Sequence, residues 1–343
     1  MFERELASTA AAMVAPGKGI LAIDESSGTI KKRFDSIKLE STVENRRAYR
    51  DLLITADGLS QFISGMILFD ETIKQATRDS TPFPEALKKN GILAGIKVDT
   101  GAKDLAGAPK ELVTEGLDGL RERLADYKKL GATFAKWRAV ITVGKDIPSA
   151  YCVEANSHAL ARYAALCQEA GIVPIVEPEV LMDGDHTLER CYDVTQFTLI
   201  TLFHELYRQR VRAEHLILKA SMVIAGKDCP QQASVQQVAE ATVRCLAHSV
   251  PAAVPGIVFL SGGQSDQVAT AHLNAMNAMG KSWPWPLSFS YGRALQAPAL
   301  KAWKGQAVNV AAAQKALYHR ARCNGAACLG RYTPDMEKEA LAA

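Results

Sequence analysis

Apolar residues along this chain fall into short runs separated by longer amphipathic stretches. "GILAID" (19–24), "GMILF" (65–69), "GIKVD" (95–99), "ATFAKWR" (132–138), "VPIVEPE" (173–179), "LILK" (216–219), "GIVFLS" (256–261) and "PLSFS" (286–290) are each too short for a buried helix. Their apolar content on both sides fits strands covered on two faces. Between them lie stretches with helical spacing, such as Leu117, Leu120, Leu124 and Tyr127, or Leu160, Tyr163, Cys167 and Ala170. The polar residues that end the later runs, Lys97, Lys136, Glu177, Lys219 and Ser261, recur roughly every 40 residues, the length of a strand plus a returning helix. This alternation predicts a parallel (β/α)8 barrel of the TIM type. It forms a single domain over residues 1–343, with a short C-terminal tail at about 331–343.

In such a barrel the active site lies at the C-terminal ends of the strands. Asp24, Lys97, Lys136, Glu177, Glu179, Lys219 and Ser261 would converge there. Lys219 closes the apolar run of "EHLILKASMV", where a turn residue is the usual terminator. Each lysine alone reads as a solvated charge, but three in one mouth repel one another, and desolvation adds to the pressure on one of them to lose its proton. A neutral amine attacks carbonyl carbon. Glu177 and Glu179 flank Pro178, and the two-residue period of a strand puts both on one side. They are candidates for acid/base work as well as for balancing the lysines. "LSGGQS" (260–265) and "FSYGRALQ" (289–296) follow the last two candidate strands, where barrels often cradle phosphate on backbone amides. "DESSGTIKKRF" (24–34) adds hydroxyls and a Lys31, Lys32, Arg33 run. With Lys97 and Arg138 this offers a second anion site, so a bis-phosphorylated substrate would span the mouth.

Composition removes other classes. Lys and Arg number 40 against 37 Asp and Glu, a net charge of +3 spread along the chain, which argues against nucleic acid as a partner. Neither a signal peptide nor a membrane-spanning run is legible, so a cytoplasmic enzyme is expected. The seven cysteines include no CxxC, and Cys167, Cys191 and Cys245 fall inside helical patterns, as reduced buried thiols do. "HELYR" (204–208) has Arg208 where a zinc-binding HExxH needs histidine. "GKGILA" (17–22) precedes an apolar run instead of following one, so it is no dinucleotide loop.

The segments "APGKGILAIDES", "ENRRAYR", "GIKVD", "FAKWR", "GIVPIVEPE", "DGDH", "FLSGGQS" and "FSYGRALQA" together resemble class I, Schiff-base fructose-bisphosphate aldolase over nearly the entire chain. The resemblance implies that Lys219 forms the imine with the ketose carbonyl and that Glu177 is the acid and base. Asp24 would position the C4 hydroxyl, Lys136 would stabilise developing negative charge and Glu179 would orient the lysines. It further implies a C1-phosphate site of Ser261, Gly262, Gly263, Ser290, Gly292 and Arg293, with Arg33, Lys97 and Arg138 near the C6 phosphate. Fructose 1,6-bisphosphate and triose phosphates are the implied partners. No cofactor or metal is implied, because the protonated imine is the electron sink. Family members are usually homotetramers. The chain ends "RYTPDMEKEALAA", without the terminal tyrosine that many members use in proton exchange on the enamine. Tyr332 is expected to be a packed or capping aromatic. Two other readings compete: a Schiff-base aldolase preferring another phosphoketose, and a catalytically silent sugar-phosphate-binding scaffold.

Overall fold

A computed structural model of the chain describes residues 2–280 and 283–339, so residues 340–343 of the expected tail lie outside the described residues. The eight apolar runs become eight parallel strands: β1 (Gly19–Ala22), β2 (Ile63–Leu68), β3 (Leu93–Lys97), β6 (Phe134–Ile141), β7 (Val173–Val180), β8 (Ile217–Ala220), β9 (Ile257–Phe259) and β10 (Leu287–Tyr291). They close in the order β1-β10-β9-β8-β7-β6-β3-β2. A small antiparallel hairpin, β4 (Gly101–Asp104) and β5 (Leu112–Glu115), stands outside the barrel between β3 and β6. The hairpin was not expected, because "GAKD" and "LVTE" show no apolar alternation to separate them from loop.

Helices α1 (Glu3–Met13), α2 (Ser27–Asp35), α3 (Val43–Ile54), α4 (Asp70–Ile73), α5 (Phe83–Lys89) and α6 (Leu120–Lys129) fall in the first half of the chain. After them come α7 (Ala150–Glu169), α8 (Leu188–Arg208), α9 (Val235–Ser249), α10 (Asp266–Ala278), α11 (Arg293–Trp303) and α12 (Val310–Cys328). Local chemistry sets several starts. Ser149, Thr187, Ser234 and Ser265 each accept a first-turn backbone N–H at the head of α7, α8, α9 and α10. Ser234 and Gln237 complete a reciprocal capping box. The expected apolar stripes are buried: Leu120, Leu124 and Tyr127 on α6, and Leu160, Tyr163 and Cys167 on α7. All seven cysteines are free, six of them buried. No helix among the described residues is long and apolar enough to cross a membrane.

Strand periodicity divides the apolar residues into two cores. Trp137, Val176 and Phe259 face outward to the helices, within the large core shared with Tyr163 and Leu202. Ile20, Ala22, Ile67, Phe134, Val173, Ile175, Ile217 and Val258 fill the barrel interior, and Leu6, Ala10 and Met13 of α1 seal its N-terminal end. Phe134 fits only because its neighbours are small. A Cβ on Gly65 would lie 2.9 Å from the Phe134 ring, and one on Gly95, its register partner, would overlap the ring outright. Gly95→Ala is therefore expected to lower stability by roughly 1–3 kcal/mol, the usual cost of overpacking. Urea unfolding checks this, and Phe134→Leu should remove most of the penalty in the double variant; an undiminished penalty would mean that the ring is not the obstacle.

Candidate active site

The inward rows of the strands change character with height. On β6 the inward residues are Phe134, Lys136 and Arg138; on β7 they are Val173, Ile175, Glu177 and Glu179. Apolar floor gives way to charge at the C-terminal end. Lys136 was expected at the end of its strand, but β6 continues through the apolar "AVI" to Ile141, so the lysine sits mid-strand inside the wall. The mouth is a cavity of about 580 Å³, and Asp24, Arg33, Lys97, Lys136, Arg138, Glu177, Glu179, Lys219, Ser261, Gly262, Gly263, Ser290, Gly292 and Arg293 all line it.

At its floor three buried side chains and the partly buried Asp24 form an alternating chain of charge. Lys136 Nζ lies 2.7 Å from Asp24 Oδ2 and 3.4 Å from Glu177 Oε2; Lys219 Nζ lies 2.8 Å from Glu177 Oε1. Lys136, Glu177 and Lys219 are 3 %, 3 % and 5 % exposed, so these charges depend on one another rather than on water. Burial by itself would raise the Asp24 carboxyl, but Lys136, Lys219 and Lys97 outweigh it and bring it down to about 2. Glu177 is lowered in the same way, its burial overcome by Lys219, Lys136 and Arg138. Burial pulls the Lys136 ammonium down, and Asp24, Glu177 and Asp99 together push it above the ordinary lysine value. Crowding thus does not neutralise Lys136 as the sequence suggested for one of the lysines. The carboxylates between the amines reverse the sign of the effect.

A second tier surrounds this floor. Arg138 Nε pairs with Glu179, and Lys97 Nζ lies 2.9 Å from Asp99 Oδ1. Glu179 therefore holds an arginine; no lysine is paired with it among the described residues. Arg33 Nη1 lies 2.7 Å from Glu25 Oε1, while Arg50 and Gln296 engage the same buried carboxylate at 3.2 and 2.7 Å. Arg33 was grouped with Lys97 and Arg138. Its guanidinium instead lies 3.6 Å from where a Cβ on Gly292 would stand. The reason is topological: α2, which carries Arg33, follows β1, and β1 is the neighbour of β10.

The loops after β9 and β10 lie across the closed ring from β3 and β6. Gly262 (φ +56°) and Gly263 (φ +97°) occupy left-handed backbone that other residues rarely adopt, and a Cβ on Gly263 would stand 3.1 Å from Met182 Sδ. Ser290 Oγ is buried with no hydrogen-bond partner among the described residues, so it can meet an anion. Gly292 opens α11 with no side-chain cap, which leaves that helix's first N–H groups available at the rim. Arg293 is tethered by its donation to the Gln264 carbonyl.

Sequence reasoning missed Glu25 and Asp99, which also face the cavity, as do Ser26, Thr29 and Lys32 of the expected anion-binding segment. The helical period separates the Lys31, Lys32, Arg33 run, since Lys31 instead pairs with Asp35 at 2.9 Å on the exposed face of α2. That period was available in the sequence. Tyr332 is packed as expected, its hydroxyl donating to Glu337 Oε1 at 2.8 Å.

Fold and site together describe a barrel lyase with a buried amine, a carboxylate touching it and cationic groups on two sides of the mouth for an anionic substrate. The family model for fructose-bisphosphate aldolase class-I matches residues 5–343, and the chain belongs to that family. It is 64% identical over 329 residues to a probable fructose-bisphosphate aldolase class 1 of Xanthomonas campestris pv. campestris, covering 96% of this chain and 98% of that one. It is 52% identical over 335 residues to fructose-bisphosphate aldolase of Dictyostelium discoideum, with 97% and 94% covered. A solved structure of the Plasmodium falciparum aldolase, in complex with TRAP and a small-molecule inhibitor, matches with a TM-score of 0.95 and 49% identity. It covers 96% of this chain and 95% of that one.

The depressed Asp24 carboxyl has a stability consequence. Its folded value of about 2 lies below the ordinary 3.8, so its contribution is complete above about 3.8 and is lost as pH falls toward 2. The stability difference between the natural protein and Asp24→Asn should shrink over that window by on the order of 2 kcal/mol. Denaturant unfolding at stepped acid pH measures it; a difference that stays constant would show that Asp24 is not held by the lysines.

Proposed function

We propose that this chain, acting as one domain, cleaves fructose 1,6-bisphosphate reversibly to dihydroxyacetone phosphate and glyceraldehyde 3-phosphate through an imine on Lys219. The observation that carries the assignment is the 2.8 Å pairing of Lys219 Nζ with Glu177 Oε1, a carboxylate that also faces Lys136. An amine needs a proton acceptor to become a nucleophile, and Glu177 is in contact with it. The Lys219 nitrogen adds to the C2 carbonyl. Glu177 returns a proton to the carbinolamine hydroxyl, which leaves as water and gives the protonated imine.

Bond cleavage then moves the C3–C4 electron pair into the imine nitrogen as the C4 hydroxyl loses its proton to Glu177. Asp24 positions that hydroxyl, and Lys136 stabilises the negative charge that develops on oxygen. Glyceraldehyde 3-phosphate departs, the enamine takes a proton at C3, and water releases dihydroxyacetone phosphate from Lys219. Ser261, Gly262, Gly263, Ser290, Gly292 and Arg293 bind the C1 phosphate, with Arg33 beside them. Lys97 and Arg138 receive the C6 phosphate across the ring. Glu179 steadies Arg138.

A silent scaffold would be expected to lack the nucleophile or its acid/base partner, and neither is missing here. Two cationic regions on opposite sides of the cavity favour bisphosphates over monophosphates. A cytoplasmic location and a homotetrameric assembly complete the reading.

Borohydride reduction in the presence of dihydroxyacetone phosphate should leave a stable adduct on Lys219 by mass spectrometry, with cleavage activity retained in EDTA. An adduct on Lys97 or Lys136, or one that persists in Lys219→Met, would overturn the assignment. Glu177→Gln is expected to lower kcat roughly 10²-fold or more with little change in KM, the scale of general acid/base catalysis. Arg293→Ala should instead raise KM. Steady-state kinetics on both variants separates the roles, and matching profiles would contradict the division. Because the Tyr332 hydroxyl is committed to Glu337, Tyr332→Phe should leave C3 proton exchange unchanged, as measured by tritium release from labelled dihydroxyacetone phosphate.

A further inference from the structure

On the outside of the barrel, remote in chemistry from the mouth, His319, Cys323 and Glu337 bring a nitrogen, a sulfur and a carboxylate oxygen within 4.8 Å of one another. His319 and Cys323 are four residues apart on α12 and so share one face. His319 Nε2 lies 3.7 Å from Cys323 Sγ and 3.9 Å from Glu337 Oε2. Around a tetrahedral zinc ion, with bonds of about 2.0–2.3 Å, neighbouring ligand atoms stand roughly 3.2–3.8 Å apart. His319 Nε2 and Cys323 Sγ already stand at that spacing, and drawing Glu337 Oε2 in toward them would close the three onto an ion and leave its fourth position to water. Cys323 is buried, whereas the His319 and Glu337 side chains are each 16% exposed, so an ion can enter from solvent.

We propose that these three residues form a zinc site that fastens the C-terminal segment to α12. The surroundings select the metal. Arg320 engages both Glu337 oxygens, at 2.7 and 2.8 Å, and Tyr332 donates to Oε1 at 2.8 Å. Each carboxylate oxygen has two lone pairs, so Oε2 can keep Arg320 and still coordinate. Arg320 nonetheless opposes any cation, as does Arg322, which pairs with Glu339. A hard ion such as Mg²⁺, gaining one carboxylate oxygen, does not overcome that repulsion. Zn²⁺ gains a thiolate and an imidazole, the bonds it prefers. Binding replaces the Cys323 S–H proton, which passes to solvent, with a Zn–S bond. Arg320 also donates to Thr270 Oγ1 on α10 at 3.2 Å, so the clamp would join the tail, α12 and α10.

The test uses the full-length protein, stripped with a chelator and titrated calorimetrically with ZnCl2, and by absorbance with CoCl2. One Zn²⁺ should bind per chain with release of one proton, Co²⁺ should give a thiolate-to-cobalt charge-transfer band, and MgCl2 should give neither. Cys323→Ser should remove the band. Cys323→Ser and His319→Gln should each weaken Zn²⁺ binding at least about ten-fold, the scale on which a lost ligand shows. Zinc should slow amide exchange over residues 331–337 in the natural protein and not in His319→Gln, a half-buried position chosen so that folding is preserved. Absence of saturable Zn²⁺ binding would overturn the proposal. So would a band and affinity unchanged in both variants, which would place the ion at another thiol or among the carboxylates of the mouth. Aldol cleavage in EDTA reports on the Lys219 chemistry alone, so either conclusion can fail without the other.

Discussion

A charged amine inside a protein wall must be neutralised by its neighbours, and Lys136 sets that requirement for the whole mouth. The residue is 3% exposed, and its ammonium meets Asp24, two residues past β1, and Glu177 of β7. Those strands are not neighbours in the ring, since β3 and β2 separate β6 from β1. Only closure of the barrel brings an aspartate just past the first strand to a lysine on β6. The same carboxylate on β7 then reaches Lys219 on β8, so the balance of one buried cation also places a proton acceptor against the amine proposed as the nucleophile. Removing one partner from such a cluster leaves an uncompensated charge, which costs far more than an exposed ion pair.

The floor beneath makes this possible. Phe134, Ile175 and Ile217 occupy the inward row directly below Lys136, Glu177 and Lys219, and α1 closes the far end. Water has no path from below, so the charges interact in a poorly screened environment. Glycines at 65 and 95 are part of the same arrangement, because they give Phe134 the room to fill the floor. The second tier, Arg138 with Glu179 and Lys97 with Asp99, balances its own cations in the same way.

Much of this was legible in the chain. Eight apolar runs with helical stretches between them specify the barrel, and period two puts Glu177 and Glu179 on one side. The polar ends of the runs identify the residues that converge. What escaped was set by tertiary neighbours. The hairpin of β4 and β5 carries no apolar alternation, and nothing along the chain singles out Asp99 and Glu25 until the fold places Lys97 and Arg33 against them. The partner of Glu179 could not be inferred from β7 alone, since it depends on the register with β6, where Arg138 stands opposite Glu177. The charge held on Lys136 escaped for the same reason. Cations are easy to count along a sequence, but the carboxylates that lie between them appear only after closure.

Lys136 remains charged because Asp24 and Glu177 hold it. The direct measurement is an NMR titration of the Lys136 side-chain nitrogen in labelled protein, in the natural chain and in Asp24→Asn. The account predicts that the natural ammonium stays protonated past 10.5, the ordinary lysine value, and that the substitution moves its titration to lower pH. A Lys136 that loses its proton near neutrality in the natural protein, or that titrates identically in both, would contradict it.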